Sequence, residues 1–452
     1  MGRLTLALGL CFLFVHASAA AAAPRAPGDL VWSARYSEGS SSGEVPSDMA
    51  ASPDGSKLFV VGTTTFGGSH SYVVVAYDAA SGHQAWARHY PTDGSIGFAH
   101  VAVSPDGSRV FLGADRSWPG TQFSADVAAF DAATGAPLWV SRFRGPENAS
   151  GMFDIATSPD GATVYLTGDS FAPSLVYEMI TIAYDASTGA RRWLAREPGP
   201  GSGGMQGFAV AASPTGDRVF VTGSNYGGSL SPNYVTVGYD AASGSKLWMT
   251  VYDGPGGEGA DYPRDVAVSP DGSRVFVTGV SPKASGGVDA TTEALNAATG
   301  GQLWLDRFDS GHADATNHVA VSPDGATVVV AGSSVVALEA ATGVERWSAR
   351  TRKLAYGGVA VSPDSSIVYA AGGLAQPLLA REAYMTKAFD IGTGAVLWQD
   401  RSDESACSYG YDLALAPDGS LVYVTGIVPD QVSGCGSEFG TEDIGTFAFS
   451  TT

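Results

Sequence analysis

The stretch Ala129–Trp139, AFDAATGAPLW, recurs along the chain and decides the fold. In its clearest copies an Asp-x-x-Thr/Ser-Gly turn is followed, after three further residues, by a tryptophan. Seven matches occur in phase, which excludes coincidence. They end at Trp86, Trp139, Trp193, Trp248, Trp304, Trp347 and Trp398. Repetition at a nearly fixed period predicts an array of equivalent supersecondary units.

A second turn motif, most often SPDG, precedes each of these copies. Its glycine supplies the positive φ that a tight turn needs. It begins at Ser52, Ser104, Ser158, Ser213, Ser269, Ser322, Ser362 and Ala416. Successive motifs lie 52, 54, 55, 56, 53, 40 and 54 residues apart, so one unit is shorter than the others.

Each unit is interpreted as four short strands. In the clearest copy these are Val101–Ser104, Arg109–Gly113, Asp126–Phe130 and Pro137–Phe143, the last of which carries the tryptophan. No helical period separates them. Short strands at regular spacing predict a meander repeated around an axis, which is a β-propeller.

The two ends of the chain complete the count of blades. A third strand near Ile444–Phe449 follows the eighth turn, but no tryptophan strand comes after it. The segment Gly28–Tyr36 matches Gly135–Phe143 at the glycine, tryptophan, arginine and aromatic positions, and Trp32 is its tryptophan. We therefore expect an all-β, eight-bladed propeller of four-stranded antiparallel blades. An N-terminal strand would complete the C-terminal blade and remove the open sheet edges.

The composition fits a turn-rich β protein and excludes some partners. The chain has 59 glycines and 24 prolines, and charged residues make up only 15% of it. Acidic residues outnumber basic ones by 45 to 25, which gives a formal net charge of −20. Such a surface repels phosphate backbones and offers no polybasic attraction to anionic lipids, so we expect no nucleic-acid partner.

The first residues are typical of an export signal. Arg3 is followed by the apolar run Leu4–Val15 and by the small residues of Ala17–Ala19. This run is too short to span a bilayer, and a retained membrane anchor is the alternative. We expect residues 1–23 to be a signal peptide and residues 24–452 a single propeller domain. The mature protein would be secreted or extracytoplasmic, monomeric, and without a membrane span.

Two cysteines remain once Cys11 leaves with the signal. Cys407 precedes the inner strand of the last blade, and Cys435 lies between its second and third strands. Both segments emerge on one face of a meander, and export permits oxidation. We expect a disulfide between them, with a pair of free thiols as the alternative.

The Ala-x-Asp-x-x-Thr/Ser-Gly-x-x-x-Trp pattern resembles the tryptophan-docking repeat of the pyrroloquinoline quinone (PQQ) propeller superfamily. The SPDG turns resemble surface-layer and YVTN-type repeats. The superfamily contains quinoprotein alcohol dehydrogenases and non-enzymatic outer-membrane assembly scaffolds. The resemblance implies the fold across nearly all of the mature chain but leaves the function open. Its enzymes typically carry a vicinal cysteine pair and a calcium-binding acidic residue at the quinone.

One repeat position holds a polar set that should stand near the mouth of the central channel. Asp or His occupies it in six units, and Ala209 and Gly358 complete the eight. The six are Asp48, His100, Asp154, Asp265, His318 and Asp412. In the structural interpretation each side chain accepts backbone N–H groups from an adjacent loop. In the alternative the set is a ring for calcium or another divalent cation.

The connections between second and third strands and those between blades share one face and vary in length, as at 113–125, 168–179, 252–264 and 426–443. Variable loops on a rigid scaffold commonly carry binding sites. We call this the long-loop face. Exposed aromatic anchors there suit a protein or carbohydrate ligand, although they also plug ordinary loops. The candidate contacts are Arg116, Trp118, Tyr226, Tyr262 and Tyr409.

The chain lacks a convincing catalytic set. There is no HExxH, Walker or CxxC motif. The stretch that holds Asp309, His312, Asp314 and His318 has metal-binding residue types, but a solvated loop explains it more simply. We expect a non-catalytic binding or scaffold propeller without a cofactor. The alternatives are a PQQ-dependent oxidoreductase, which the missing Cys-Cys pair disfavours, and a lyase or hydrolase acting at the channel mouth.

Overall fold

The structure, a computed structural model, describes residues 25–452 apart from several short segments. These segments are 40–42, 67–68, 93–95, 119–121, 148, 173–175, 200–202, 228–231, 256–258, 351–353, 375–383, 403–408 and 430–441. The expected signal peptide, Cys407 and Cys435 lie outside the described residues. The export signal and the disulfide therefore stay predictions.

The described residues form 32 strands in eight four-stranded antiparallel sheets, and no helix occurs among them. The prediction of an all-β, eight-bladed propeller is confirmed. Within the part of the chain that the structure covers, no helix has the length and apolarity to cross a membrane.

The blades are numbered in chain order. Blades 1 and 2 are β2 (Gly43–Ala51), β3 (Lys57–Phe66), β4 (Ser69–Asp78), β5 (Gln84–Pro91), β6 (Ile96–Val103), β7 (Arg109–Trp118), β8 (Gln122–Asp131) and β9 (Pro137–Phe143). Blades 3 and 4 are β10 (Ser150–Thr157), β11 (Thr163–Phe171), β12 (Tyr177–Asp185), β13 (Arg191–Pro198), β14 (Met205–Ala212), β15 (Arg218–Asn225), β16 (Asn233–Asp240) and β17 (Lys246–Tyr252). Blades 5 and 6 are β18 (Tyr262–Val268), β19 (Arg274–Pro282), β20 (Val288–Asn296), β21 (Gln302–Phe308), β22 (Thr316–Val321), β23 (Thr327–Gly332), β24 (Ser334–Glu339) and β25 (Glu345–Arg350). Blades 7 and 8 are β26 (Leu354–Val361), β27 (Ile367–Leu374), β28 (Tyr384–Asp390), β29 (Val396–Ser402), β30 (Tyr409–Leu415), β31 (Leu421–Pro429), β32 (Glu442–Ser450) and β1 (Leu30–Tyr36).

Blade 8 combines the two ends of the chain. Strand β1 pairs antiparallel with β32, and Trp32 lies opposite Ala448. The turn between these strands is split: Gly28 N donates to Ser450 O over 2.8 Å, the bond that closes the corresponding turn in other blades.

The SPDG turns are held by their own side chains. In blade 2, Ser104 Oγ donates to Asp106 Oδ1 over 2.5 Å, and Ser108 N donates to the same oxygen over 3.0 Å. Gly107 adopts a φ of 69°, which an L side chain rarely tolerates. The Ser104 hydrogen bond contributes most to lowering the pKa of Asp106 to about 2.

The repeat tryptophans lie between neighbouring blades. Trp86 of blade 1 donates from Nε1 to Ala132 O of blade 2 over 3.1 Å. A Cβ added to Gly135, whose φ is +69°, would lie 2.6 Å from the Trp86 ring, so only glycine fits this turn. Among the described residues, eight hydrophobic clusters each join two adjacent blades. The hydrophobic core is therefore distributed around the whole propeller, between its blades.

The second and third strands are longer than the sequence pattern predicts. In blade 2 the ladder continues from Gly113–Val127 out to Trp118–Gln122. The prediction that Arg116 and Trp118 lie in a loop over 113–125 is wrong, because both residues belong to β7. The hairpin backbone satisfies its hydrogen bonds by pairing with itself, which needs no apolar alternation in the sequence.

Candidate functional site

The six predicted ring residues lie on the innermost strands of six blades. Five of them follow a break in register, as between Met152 and Asp154 in β10. Such a bulge re-aims the next side chain. All six residues are half-buried; the side chain of Asp154 is 23% exposed and that of His318 is 42% exposed.

The ring aspartates fasten one blade to the next. Asp154 accepts Ile155 N at Oδ1 and Val210 N of the next blade at Oδ2, both over 2.8 Å. The same pairs of bonds form at two other positions. Asp48 accepts Met49 N and Val101 N, and Asp265 accepts Val266 N and Val319 N. The donors are on inner strands, whereas the sequence interpretation placed them in loops.

His100 lies between two ring carboxylates. Its Nδ1 is 3.4 Å from Asp48 Oδ2 and 3.8 Å from Asp154 Oδ1. Burial alone would lower the pKa of His100, but the Asp48 hydrogen bond and both negative charges outweigh it and raise this pKa to about 9. His100 is therefore an imidazolium at neutral pH. His318 Nδ1 similarly lies 3.8 Å from Asp265 Oδ2.

Two carboxyl groups of the ring, those of Asp154 and Asp412, have raised pKa values. Burial, despite the nearby His100, raises the pKa of Asp154 to about 7. Burial and the negative charge of Asp48 raise the pKa of Asp412 well above its usual range. Asp412 Oδ2 accepts Met49 N over 3.0 Å and thereby joins blade 8 to blade 1. Positive and neutral members thus moderate the repulsion among the ring carboxylates.

The chemistry of the ring residues is relevant to two candidate ligands, a metal ion and PQQ. Among the described residues, no group of three or more His, Cys, Asp or Glu side chains is placed to hold a metal ion, and the metal-ring hypothesis stays a prediction. PQQ is a tricarboxylate. Four aspartates at this position, two of them beside His100, offer it little positive charge, and the expectation that PQQ is not bound stays a prediction.

The predicted contacts of the long-loop face spread over several blades. Tyr226 follows β15 and donates from its hydroxyl to Gln206 Oε1 over 2.7 Å. Tyr262 begins β18, with the Arg264 guanidinium 5.9 Å from its ring centroid. Tyr409 begins β30. The side chains of Trp118 and Tyr409 lie outside the described part of the structure.

The sequence analysis did not identify the aromatic residues that neighbour Tyr226 and Tyr262. Burial raises the pKa of Tyr226, and the neighbouring Tyr262 and Tyr177 raise it further. Tyr177 packs on Phe171 with ring centroids 4.2 Å apart. These four half-buried aromatics from blades 3 to 5, Phe171, Tyr177, Tyr226 and Tyr262, are called the aromatic patch.

A second aromatic pair lies closer to the channel. Phe153 and Phe208, each one residue before a ring position, meet edge to face at 5.3 Å. Their identical repeat position is the signal from which the sequence could have predicted this contact.

Solved structures with this fold include BamB, an alcohol dehydrogenase and a WD40 domain. BamB from Moraxella catarrhalis is 14% identical, with a TM-score of 0.54 over 94% of this chain and 99% of that one. Quinohemoprotein alcohol dehydrogenase from Comamonas testosteroni is 14% identical, with a TM-score of 0.60 over 93% and 76%. The C-terminal WD40 domain of Sif2 is 11% identical, with a TM-score of 0.58 over 94% and 98%. At these identities the likeness shows the fold alone.

Among curated proteins, no sequence matches this chain. The family described as outer membrane protein assembly factor BamB matches residues 16–166, 70–292 and 288–427. These matches together span residues 16–427, which include all seven blades that are built from one continuous stretch of chain. They agree with the tryptophan-docked, four-stranded blades. The chain therefore belongs to the PQQ-like propeller family described as outer membrane protein assembly factor BamB.

Proposed function

We propose that this protein is an extracytoplasmic, non-catalytic scaffold that binds a protein partner through the long-loop face. The observation that carries the proposal is the aromatic patch. Half-buried aromatics that project from several rigid blades supply contact area at a small cost in conformational entropy. The assembly role in the family's description supports a protein partner.

The ring supports a structural role for the channel mouth. Its aspartates accept backbone N–H groups from adjacent blades, which gives these carboxylates a structural use in holding the blades together. Fastening neighbouring blades keeps the loops of the long-loop face in fixed relative positions. A rigid platform of this kind lowers the entropy lost on binding.

Crosslinking in the native cell envelope, followed by identification and reconstitution of the partner, tests the proposal. Tyr226→Ser combined with Tyr262→Ser should weaken the reconstituted complex by about 2 kcal/mol or more, as for interface hot spots. Val344→Ser is the matched control, because Val344 is 60% exposed on the opposite face. Equal affinity of all three proteins would contradict the proposed face.

A second measurement addresses catalysis. The purified protein is incubated with PQQ and calcium and assayed for a bound chromophore and for dye reduction with alcohols. We expect neither. Stoichiometric chromophore with dye reduction would overturn the non-catalytic assignment and favour an oxidoreductase.

A further inference from the structure

Blade 6 leaves a notch in the long-loop face. Its strands β23 and β24 have six residues each and are joined by Ser333 alone, whereas β19 and β20 of blade 5 have nine each. At roughly 3.3 Å per residue, the blade 6 hairpin is about 10 Å shorter. The short hairpin explains why the turn motifs at Ser322 and Ser362 are only 40 residues apart in the sequence.

A cavity of about 410 Å³ lies in the notch. One wall is the connection 309–315 between blades 5 and 6, which Asp314 N fixes to Val288 O over 3.1 Å. Lys283 Nζ also holds this connection by donating to Asp309 Oδ1 over 2.5 Å. The lining residues are Ser310, His312, Ala313, Asp314, Ser333, Ser334 and Arg350. The volume falls within the range of small-molecule sites.

Two opposite charges line this cavity without touching each other. Asp314 is 2% exposed, and its Oδ2 accepts Ser310 N over 2.6 Å. Arg350 donates from Nη1 to Ser310 O over 2.9 Å, and its guanidinium lies 5.3 Å from the Phe308 ring centroid. Among the described residues, each of the two side chains hydrogen-bonds to the Ser310 backbone and neither pairs with the other.

Ser334, the first residue of β24, adds a hydroxyl to the cavity wall. The residue is 4% exposed, and its Oγ makes no hydrogen bond to any residue that the structure describes. This hydroxyl is therefore available to donate to or accept from a polar atom of a ligand.

We propose that this cavity binds a small zwitterion of the class of free α-amino acids and short peptides. The ligand carboxylate pairs with Arg350, its ammonium group pairs with Asp314, and Ser334 donates to or accepts from its polar atoms. A simple anion would match only the charge of Arg350, and a simple cation would match only the charge of Asp314. The site lies apart from the aromatic patch, so the proposal does not depend on the protein partner.

Thermal shift and titration calorimetry with a panel of probes test the proposal. The probes are glycine, L-alanine, L-serine, L-glutamate and L-alanyl-L-alanine, each beside its N-acetyl and methyl ester derivatives. At least one free zwitterion should bind and raise the melting temperature. Each derivative lacks one charge and should bind about tenfold more weakly, because it loses a charge-assisted hydrogen bond.

Variants tie the binding to these side chains. Arg350→Gln and Asp314→Asn should each weaken binding about tenfold. Ser334→Ala should weaken it by a few fold without lowering the melting temperature of the free protein. Arg346→Gln, on the same strand but bonded to Thr327 Oγ1, is the matched control and should bind normally. No binding by any probe, equal binding of the blocked derivatives, or equal loss in R346Q and R350Q would overturn the proposal.

Discussion

The indole Nε1 of Trp139 donates a 3.1 Å hydrogen bond to the carbonyl oxygen of Ala186 in the next blade. The other repeat tryptophans of blades 1 to 6, and Trp32 of blade 8, make the equivalent bond. Trp398 of blade 7 differs: its Nε1 has no partner among the described residues. The turn that it faces is the split one, where Gly28 meets Ser450.

This difference supplies an internal control for the energy of blade docking. Trp139→Phe removes the indole donor and leaves the Ala186 carbonyl short of a partner, whereas Trp398→Phe removes no bond. Both side chains are half-buried. We expect the first variant to lose about 1–2 kcal/mol more in free energy of unfolding than the second, measured by urea denaturation. Equal losses would show that the hydrogen bond contributes nothing beyond ring packing.

The Asp154 carboxylate should be more important as an acceptor than as a charge. Asp154→Ala leaves two inner-strand N–H groups unpaired and should lower the free energy of unfolding by about 2–4 kcal/mol. Asp154→Asn keeps one acceptor oxygen but turns its NH2 group toward the second N–H, so it should recover only part of this loss. Denaturant melts of both variants test this, and a larger loss in D154N than in D154A contradicts the fastening role.

The same contacts decide what a metal titration should show. Because Asp48, Asp154 and Asp265 each accept two backbone N–H groups, we expect calcium and zinc to leave the melting temperature unchanged. If either ion raises it, the double variant Asp154→Ala, His318→Ala is the decisive comparison. A rise that this variant abolishes would establish the metal ring.

Stability should fall as the pH rises above the mildly acidic range. The pKa of His100 is raised from 6.5 to about 9, so its contribution is complete below pH 6.5 and is lost as the pH rises through 9. Burial raises the pKa of Asp154 from 3.8 to about 7 and that of Asp115 from 3.8 to about 8. These acids keep protons in the folded state that the unfolded chain releases near pH 4, so they destabilise the fold progressively between pH 4 and 8.

At the acid end the turn aspartates act in the opposite direction. The pKa values of Asp54, Asp106 and Asp271 are lowered to about 2, chiefly by serine hydroxyls, so their stabilisation disappears as the pH falls from 4 to 2. The free energy of unfolding should therefore peak near pH 4–5. Denaturant melts from pH 3 to 9 measure it.

Two histidine variants distinguish the effect of the ring on the pH dependence of stability from the effect of titrating surface groups. His100→Gln should flatten the decline in stability between pH 6.5 and 9. His83→Gln, at an exposed turn, should leave the profile unchanged. Parallel profiles for the wild type and H100Q would show that the ring histidine is not responsible.

Much of the candidate site could be placed from the sequence because the repeat fixes positions within a blade. The turn motifs put His100 and Asp154 at one inner-strand position, and the structure brings their side chains to within 3.8 Å. The aromatic patch was harder to predict from the sequence. Tyr226 and Tyr262 could be named individually, but Phe171 and Tyr177 occupy hairpins whose length and pairing follow no repeat.

The sequence by itself determined the number of blades, the strand that carries each tryptophan and the glycine that each docking turn requires. These features depend on short-range patterns, namely φ at a turn and alternation along a strand, which a local sequence encodes. Only the tertiary structure decided which side chains meet between blades. Asp154 reaches Val210, and Asp314 faces the same cavity as Arg350. Such contacts depend on how far each hairpin extends and how neighbouring blades pack, and these properties arise from many residues far apart in the chain.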